Sequence, residues 1–347
     1  MLTNEQIVEI RQHLENAQNP VFFYDNDPDG MCSFVLLQKF IGRGKGVIIK
    51  SMPGLDASYF RKVEEFKADY VFVLDKPVID QEFIDLVERA NIPLVIIDHH
   101  NVPEVKTKYY YNTFYTSGKS EPVSYLSYKI SGKKEDEWIA AIGCVTDSFI
   151  PDFMEKFKEE HEDLIDYKYK TAFDILYNTK LGKIAMILSF GIKDSTTNVV
   201  AISKFLISAK NAEDILEENA KTKVFLSRYE EINKKYKVIL KKSEDHITKD
   251  MIFFGYSGDL SINQYVSNEL FYRHPDKVIV TVYSKGSMAN LSLRWKGDIR
   301  TATVNAIKDI EGATGGGHEH ATGARMPTDK LPLFRENLER EILAQKK

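Results

Sequence analysis

The residues most able to do chemistry in this chain are carboxylates and histidines that follow short apolar runs. The run VFFY, residues 21–24, leads directly into Asp25-Asn26-Asp27-Pro28-Asp29-Gly30, which places three carboxylates within five positions. Clustered carboxylates repel one another, and a hard divalent cation offsets that repulsion. The alternatives are a polar turn and a calcium loop. An EF-hand calcium loop needs two flanking helices and a distal Glu, which this segment does not offer.

A second cluster, Asp98-His99-His100, follows the apolar run PLVII, residues 93–97, and Asp75 follows YVFVL, residues 70–74. Imidazole beside a carboxylate suits Mn²⁺, Fe²⁺ or Zn²⁺ better than Mg²⁺. Adjacent histidines point in different directions, so one can bind a metal while the other faces a substrate phosphate. Together with Asp75, this cluster predicts a metal site.

Two further segments carry groups of the same kind. Asp147 interrupts the apolar stretch AAIGCVTDSF, and a buried carboxylate is costly without a cation or several donors. The alternative for Asp147 is a helix N-cap. The run Gly315-Gly316-Gly317-His318 lets backbone N–H groups approach a phosphate closely, and its histidine can donate to a phosphate oxygen. A flexible turn is the alternative for this run.

The elements that must position these groups follow from the pattern of apolar runs. Four runs, at residues 21–24, 47–50, 70–74 and 93–97, alternate with helical patterns. Such alternation predicts an α/β fold with a parallel sheet and helices on both faces. Ligands bind beyond the carboxyl ends of parallel strands, where three of these runs end in carboxylates. We therefore expect those carboxylates to meet at one edge of the sheet.

The rest of the chain predicts a second, smaller α/β domain. Residues 136–209 have mostly helical patterns, and residues 211–244, rich in Glu and Lys, read as one long solvated helix. Three strand-like runs follow residue 250, with helical segments between and after them. The expected organisation is a first domain over residues 1–209 that carries the predicted metal site, a helical connector over 210–248 and a second domain over 249–347.

Composition excludes several classes of function. The 347 residues are 43% hydrophobic and 28% charged, as in an ordinary soluble protein, and the formal net charge is −4. A nucleic-acid partner would therefore need a local basic groove or a metal that supplies positive charge. Cys32 and Cys144 are too few for a disulfide framework or a cysteine-ligated zinc site. The amphipathic first segment and the absence of a membrane-length apolar run predict a cytoplasmic protein without a membrane partner.

Taken together, the motifs resemble those of the DHH phosphoesterase superfamily. DNDPDG, an Asp after a strand, DHH, the Asp of GCVTDSF and the C-terminal GGGHEHATGA follow one another in that family's order. More narrowly, the chain resembles the branch with the DHH-associated C-terminal domain, above all the archaeal RecJ-like proteins. The resemblance implies a manganese-dependent exonuclease that hydrolyses single-stranded DNA or RNA with metal-activated water. It also implies two Mn²⁺ ions, with Mg²⁺ as an alternative.

The resemblance assigns roles to individual residues. It implies that the metal ligands are Asp25, Asp27, Asp29, Asp75, His99 and Asp147, with Asp25 as orienting support or a looser ligand. The catalytic group would be Asp98, His99, His100 and His318. The substrate would be held by His100, Arg294, Gly315, Gly316, Gly317, His318 and Arg325. Phe23 stands where many members of the family carry a histidine, and Lys76 replaces a small residue. The second metal is therefore in doubt, and the Lys76 ammonium would lie near the phosphate or neutralise local charge.

Other functions within this resemblance stay open. One alternative is a nanoRNase, pAp phosphatase or cyclic-dinucleotide phosphodiesterase, which acts on a smaller substrate. Another is a non-catalytic replication scaffold of the RecJ fold. The expected partners are single-stranded nucleic acid or short oligonucleotides, and a replication or repair protein such as a helicase. The direction of digestion, the preference for DNA or RNA and the oligomeric state are not determined by the sequence.

Overall fold

The structure is a computed structural model that describes residues 1–49, 54–103 and 105–346. The chain divides into two units, Met1–Glu230 and Glu231–Lys347. Each unit has its own sheet and its own apolar core. The boundary between the units falls within one helix, Lys223–Glu244.

The sheet of the first unit is parallel throughout, as predicted. Its strands lie in the order β2-β1-β3-β4-β5. They are β1 Pro20–Asp25, β2 Lys45–Ile49, β3 Tyr70–Leu74, β4 Leu94–Asp98 and β5 Tyr109–Asn112. The first four are the predicted strands, although Lys50, the last residue of the second predicted run, lies outside the described residues. The fifth was missed because its tyrosine-rich run, YYYN, does not read as a short apolar segment.

Helices cover both faces of this sheet. Before β5 they are α1 Asn4–Asn16, α2 Pro28–Ile41, α3 Phe60–Phe66 and α4 Gln81–Arg89. After β5 they are α5 Thr113–Ser117, α6 Val123–Ser131, α7 Glu137–Thr146, α8 Met154–Glu160, α9 Ala172–Asn178, α10 Lys180–Gly191, α11 Thr196–Ser208 and α12 Lys223–Glu244. The predicted helical character of residues 136–209 is confirmed.

Alternation along β1 explains why its run is apolar throughout. Phe22 and Tyr24 belong to the core shared with α2, whereas Val21 and Phe23 belong to the core shared with α3 and α4. Successive side chains of a strand point to opposite faces, so a strand covered on both sides has no polar position. The Phe22 ring stacks on Phe72 of β3 at a centroid distance of 5.0 Å. The two cores thus hold β1 firmly up to Asp25, where the polar segment begins.

The second unit contains a mixed five-stranded sheet in the order β6-β7-β8-β10-β9. Its strands are β6 Met251–Ser257, β7 Val278–Lys285, β8 Met288–Arg294, β9 Thr314–His318 and β10 Ala321–Pro327. Strands β6 and β7 pair in parallel, and the remaining pairs are antiparallel. Helices α13 Asn263–Arg273, α14 Ile299–Ile307 and α15 Leu331–Gln345 complete the unit. This arrangement confirms the predicted smaller α/β architecture.

The segment between the predicted domains is less regular than one long helix. Residues 212–215 form a short 3₁₀ turn, and the Asn211 side chain caps it by accepting a hydrogen bond from the Asp214 N–H at 3.0 Å. Helix α12 begins only at Lys223, and its Phe225 and Ile232 side chains are buried. The charged composition of this segment therefore conceals a buried apolar stripe along the helix.

In the part of the chain that the structure describes, no helix combines the length and the apolar character needed to cross a membrane.

The turn from β1 into α2 depends on a glycine at the first helical turn. A Cβ on Gly30 would lie 2.6 Å from the carbonyl oxygen of Asp25 and 2.9 Å from its nitrogen. Both atoms belong to the backbone, so neither can rotate away. We expect Gly30→Ala to lower the free energy of unfolding by roughly 1–3 kcal/mol, the usual cost of overpacking.

Chemical denaturation of the metal-free protein measures this effect. Gly316→Ala is the control, because nothing lies within 4 Å of the Cβ it would add. Equal stability of the two variants would mean that the β1–α2 turn relaxes without cost.

Candidate metal centre

The strand order brings three of the predicted carboxylates to one edge of the first sheet. Strands β1, β3 and β4 are neighbours and run in parallel. Asp25 and Asp98 are the last residues of β1 and β4, and Asp75 directly follows β3. The carboxyl ends of these strands therefore carry acidic side chains, as expected from the apolar runs before them. We refer to Asp25, Asp75 and Asp98 as the acidic row.

Asp75 has an unusual backbone conformation. Its φ is +57°, in the left-handed region, and its N–H donates to the Ile97 carbonyl at 3.0 Å. A non-glycine residue in this conformation costs free energy and is often found where function requires it. The Asp75 carboxylate is buried, and its Oδ1 accepts no hydrogen bond from the described residues. The same oxygen lies 3.2 Å from His99 Nε2 and 3.8 Å from His100 Nδ1.

Ser120 determines which nitrogen of His99 faces Asp75. The Ser120 hydroxyl donates to the His99 carbonyl at 3.0 Å, and His99 Nδ1 lies 2.8 Å from the same hydroxyl oxygen. Since the hydroxyl has one proton, it accepts from Nδ1–H. In the neutral imidazole, Nε2 is then the nitrogen without a proton, and it lies 3.2 Å from Asp75 Oδ1. A hydrogen bond that fixes the tautomer in this way is typical of metal-binding histidines.

Asp98 is held by His100 and Asn112. Its Oδ1 lies 2.8 Å from His100 Nδ1, and its other oxygen accepts from Asn112 Nδ2 at 3.3 Å. Burial raises the pKa of Asp98, but the hydrogen bond to His100 and the charges of His100 and His99 together lower it further than burial raises it. Burial lowers the pKa of His100, but the hydrogen bond to Asp98 and the negative charges around the ring together raise it above its usual value. The pair therefore favours a protonated His100.

Asp27 and Asp29 lie at the start of α2 with different surroundings. Asp27 caps the helix, since its Oδ1 accepts from Gly30 N–H at 2.8 Å. Burial, and then the charges of Asp25 and Asp29, raise the pKa of Asp27 from 3.8 to about 7. Asp29 is buried, and its oxygens accept from Val123 N at 2.7 Å and Ser124 N at 3.0 Å. The donors at the start of α6 thus hold Asp29 in place.

Asp147 is at the C-terminal end of α7, so the alternative of a helix N-cap is wrong. Its carboxylate lies 3.8 Å from His99 Nδ1, and Ser148 after it has a φ of +60°. Ser148 is therefore a second residue with a left-handed backbone conformation close to the acidic row. The side chain of Asp147 is 40% exposed, so one side of the cluster opens to solvent.

The donor set fits a divalent ion. Asp75, His99 and His100 each offer a ligand atom within 4.8 Å of the others, and so do Asp29, His99 and Asp147. His99 belongs to both groups. Carboxylate oxygens with imidazole nitrogens suit Mn²⁺, Fe²⁺ or Zn²⁺. The buried Asp75 Oδ1, without a hydrogen-bond donor among the described residues, is the atom that most needs a cation.

Lys76 neutralises Asp25. Its Nζ lies 2.5 Å from Asp25 Oδ1, and the lysine side chain is 4% exposed. Two positions were expected for the Lys76 ammonium, near a substrate phosphate or against local negative charge. The structure places it against the carboxylate of Asp25. Asp25 therefore has a partner already, which competes with its predicted binding of metal. Phe23 turns the other way, into the apolar core, with its ring 5.3 Å from that of Phe83.

In the second unit, Arg294 and His318 share one row across the sheet. Both residues pair with Ala321 of β10, from strands on either side of it. Residues in one row point to the same face, and two strand spacings separate these Cα atoms by about 10 Å. The Arg294 guanidinium donates to Asn268 Oδ1 at 2.7 Å and to Ser292 Oγ at 3.1 Å. The structure thus brings these two predicted substrate residues together.

The glycine run before His318 is an edge strand rather than a flexible turn. Gly317 has a φ of +142°, and a Cβ there would lie 2.6 Å from the Ala321 carbonyl oxygen. A Cβ on Gly315 would meet atoms of Ala324 and Ile307 at 3.1 Å, whereas one on Gly316 would meet nothing within 4 Å. The first and last of these glycines are therefore required by packing and backbone conformation.

Arg325 is not brought to the same place. It pairs with Thr314 at the beginning of β9, four residues along β10 from Ala321, which corresponds to about 13 Å. Its side chain is exposed. Arg325 shares a face with Arg294 and His318, but lies toward the opposite end of the strands.

Sequence reasoning missed the residues that hold the predicted ones. These supporting residues are Asn112, Ser120, Ser124, Asn268 and Ser292. Small polar residues are common in every part of the chain, and nothing in their spacing distinguishes them. Asn112 ends β5, next to β4, but that strand was itself missed from the sequence.

Comparison with known proteins agrees with this geometry. Residues 21–171 match the model of the DHH family, N-terminal domain, and therefore form a DHH-family domain. No curated protein sequence is similar enough to this chain to give a match.

Similar folds occur among solved structures. RecJ of Thermus thermophilus in complex with Mn²⁺ is 14% identical, with a TM-score of 0.66 over 98% of this chain and 55% of that protein. The exonuclease RecJ bound to manganese is 14% identical, with a TM-score of 0.64 over 98% of this chain and 94% of that one. The DHH domain of a member of the S1p family of ribosomal proteins is 15% identical, with a TM-score of 0.67 over 98% of this chain and 90% of that one. This chain thus spans about half of the Thermus protein and has the RecJ fold.

The raised pKa of Asp27 and the burial of Asp75 predict a pH dependence of stability. A carboxyl whose pKa rises from 3.8 to about 7 on folding binds a proton in the folded state that the unfolded state has released. The stability of the metal-free protein should therefore fall as pH rises from 5 to about 7.5, as these groups lose their protons. Thermal unfolding in chelator across this pH range measures the effect.

Asp27→Asn, which cannot ionise, is the matched variant and should reduce the slope of melting temperature against pH. Saturating Mn²⁺ should stabilise the wild type most at the high end of the range. A wild-type melting temperature that is level or rises toward pH 7.5 in chelator would contradict this account.

The Lys76–Asp25 ion pair predicts that Lys76→Met strengthens metal binding. Removing the ammonium frees Asp25 and removes a positive charge beside the site. We expect Mn²⁺ affinity to rise by about tenfold, or a second binding event to appear in calorimetry. Lys62→Met is the control, because Lys62 pairs with Glu65 at the surface. Unchanged or weaker binding in Lys76→Met would assign Lys76 a purely structural role.

Proposed function

We propose that this chain, whose residues 21–171 form a DHH-family domain, is a metal-dependent phosphodiesterase that acts as a RecJ-like exonuclease on single-stranded DNA or RNA. One observation carries the proposal most directly. Asp75 Oδ1 is buried, accepts no hydrogen bond from the described residues and faces His99 Nε2 at 3.2 Å. A buried carboxylate oxygen beside an imidazole nitrogen is costly unless a proton or a cation joins them, and burial raises the pKa of Asp75 accordingly.

The residues proposed to hold the metal are Asp75 and His99, with Asp27, Asp29 and Asp147 around them. Mn²⁺ is the proposed ion and Mg²⁺ the alternative, because the donor set mixes imidazole with carboxylates. A divalent ion at such a site lowers the pKa of water and neutralises charge on a phosphate. Asp25 is proposed as support, since its charge is already met by Lys76.

His100 is proposed to stabilise charge on the scissile phosphate. Its Nδ1 lies 2.8 Å from Asp98, and its pKa is raised through that hydrogen bond. The other ring nitrogen is then protonated and can donate to a phosphate oxygen as charge develops there. Asp98 acts through His100, because it fixes the ring orientation and keeps the imidazole cationic.

In the second unit, Arg294 and His318 are proposed to bind a phosphate of the substrate. Asn268 and Ser292 hold the Arg294 guanidinium, so less conformational entropy is lost when it binds an anion. Gly316 carries no side chain and has open space above it, which lets a ligand approach the backbone. Arg325, at the other end of the strands, would contact a neighbouring part of a longer substrate.

That the substrate is a single strand of nucleic acid is also a proposal. Its support is the fold, shared with RecJ of Thermus thermophilus and with a structure named as the exonuclease RecJ. The formal net charge of −4 also does not favour coating of duplex DNA. The domain limits 1–209, 210–248 and 249–347, a replication or repair partner such as a helicase, and a cytoplasmic location are proposed on the same basis.

The proposal predicts Mn²⁺-dependent cleavage that requires Asp75. End-labelled single-stranded DNA, RNA and a short oligoribonucleotide are digested with Mn²⁺, Mg²⁺ or chelator. Asp75→Asn keeps the shape but loses the charge, and we expect its cleavage rate to fall by about a hundredfold or more. Asp80→Asn is the matched control, because Asp80 caps α4 at the surface and Asn caps equally well.

The products distinguish the alternatives. A ladder from the long strands supports the exonuclease, and cleavage of the short oligoribonucleotide alone supports a nanoRNase. A folded wild-type protein that binds Mn²⁺ and cleaves none of the three substrates would contradict the proposal and favour a non-catalytic scaffold.

A further inference from the structure

A second feature of the first unit lies away from the acidic row, along the outer edge of its sheet. Strand β2 is the last strand on that side, with β1 as its neighbour. Beside β2 is a cavity of about 760 Å³. It is bounded by residues 44–48, by residues 59–66 and by α11 from Thr196 to Ile207. We refer to this cavity as the edge groove.

The edge groove continues the plane of the sheet. Ile48 packs on the core that α11 shares, and Val47 packs on the opposite core, with Tyr59 and Phe66. Helical segments thus extend beyond β2 on both faces and leave a slot between them. An edge strand directs half of its N–H and C=O groups away from its neighbour, so an extended chain in this slot can pair with β2.

Apolar side chains line the interior of the edge groove. Val47 and Ile48 of β2 and Val200 and Ile207 of α11 contribute to its lining. All four are partly buried. An occupant would therefore bury aliphatic side chains toward the two helical layers, as the existing strands do.

Cations surround the same groove. Lys45, Arg61, Lys62 and Lys204 line it, and no carboxylate is among the described residues that line it. Lys62 pairs with Glu65 at 2.6 Å. Lys45, Arg61 and Lys204 form no ion pair within the described residues. An apolar slot with unpaired cations at its border is complementary to a segment that alternates acidic and aliphatic residues.

The aromatic rings of the edge groove do not suit nucleic-acid bases. Lys45 Nζ lies 4.5 Å from the centre of the Phe66 ring and Lys62 Nζ lies 5.5 Å from it, so ammonium groups already occupy positions against that ring. The Tyr59 ring meets Phe23 of the core edge to face at 6.2 Å. Base stacking needs an accessible ring face. The outward backbone groups of β2, in contrast, match the repeat of a peptide strand.

We propose that the edge groove binds an acidic, extended peptide of a partner protein, which adds a sixth strand next to β2. Lys45 pairs with Val21 and Ile49 with Asp25, so the groove begins four residues, about 13 Å, from the row that contains Asp25. A bound peptide would leave the carboxyl ends of β1, β3 and β4 accessible. The edge groove would thus recruit a partner while the metal centre stays open.

Fluorescence anisotropy with the full chain tests the proposal. The probe is a fluorescein-labelled peptide of alternating Glu and Val, about ten residues long. One comparison peptide has the same composition with the charges in a block, and another carries prolines that cannot donate to β2. Chelator is present throughout, and a single-stranded dT oligonucleotide of similar charge is the competitor. We expect binding of the alternating peptide only, without competition by the oligonucleotide.

Lys45→Glu/Lys204→Glu should weaken peptide binding by about tenfold or more, since it reverses two border charges. Lys168→Glu/Lys183→Glu is the matched control with the same change in net charge at exposed positions outside the groove. Mn²⁺ binding should be unchanged in both variants. Hydrogen exchange should show protection of residues 45–49 when the peptide is bound.

Three results would overturn the proposal. These are no binding of the alternating peptide, equal binding of the block or proline peptide, and equal loss in the control variant. Displacement of the peptide by the oligonucleotide, with the same loss in Lys45→Glu/Lys204→Glu, would instead assign the edge groove to nucleic acid. None of these outcomes depends on whether the metal centre cleaves a phosphodiester.

Discussion

Mutual repulsion among carboxylates, held where little water reaches them, is the constraint on which the rest of the first unit depends. Asp25, Asp27, Asp29 and Asp75 lie at the ends of adjacent strands and at the start of one helix. Burial and neighbouring charges raise the pKa of Asp27 to about 7, and burial raises that of Asp75. A fold with this cluster must provide positive charge, donors or bound cations, and otherwise it takes up protons.

The protein meets part of this demand with its own groups. Lys76 pairs with Asp25, the backbone N–H groups at the start of α6 donate to Asp29, and His100 pairs with Asp98. Asp75 is different, because its Oδ1 has no such donor among the described residues. The remaining demand is thus concentrated where His99 Nε2 also points. Asp75 and His99 would hold a divalent ion there, and it would supply the missing positive charge; the left-handed backbone of Asp75 is the strained conformation at this position.

The second unit shows another way to prepare an anion site. Its predicted residues are placed by strand register rather than by charge, since Arg294 and His318 flank Ala321 in one row. The glycines of β9 have packing and backbone roles in addition to any contact with a ligand, as Gly315 and Gly317 show. Helix α13 supplies Asn268, which holds the Arg294 guanidinium. Rigid support of this kind favours binding because fewer rotamers are lost.

The sequence by itself determined the parallel sheet, the α/β class and the sheet edge at which the acidic side chains meet. These follow from local pattern, because buried parallel strands are apolar runs and their carboxyl ends share one edge. Only the tertiary structure decided which carboxylates already have partners. The pairing of Lys76 with Asp25, the tautomer that Ser120 gives His99 and the distance of Arg325 from Arg294 depend on register and rotamer between segments far apart in the chain. Periodicity within one segment contains no record of such contacts, so the sequence identified candidate groups and the fold determined which of them have partners.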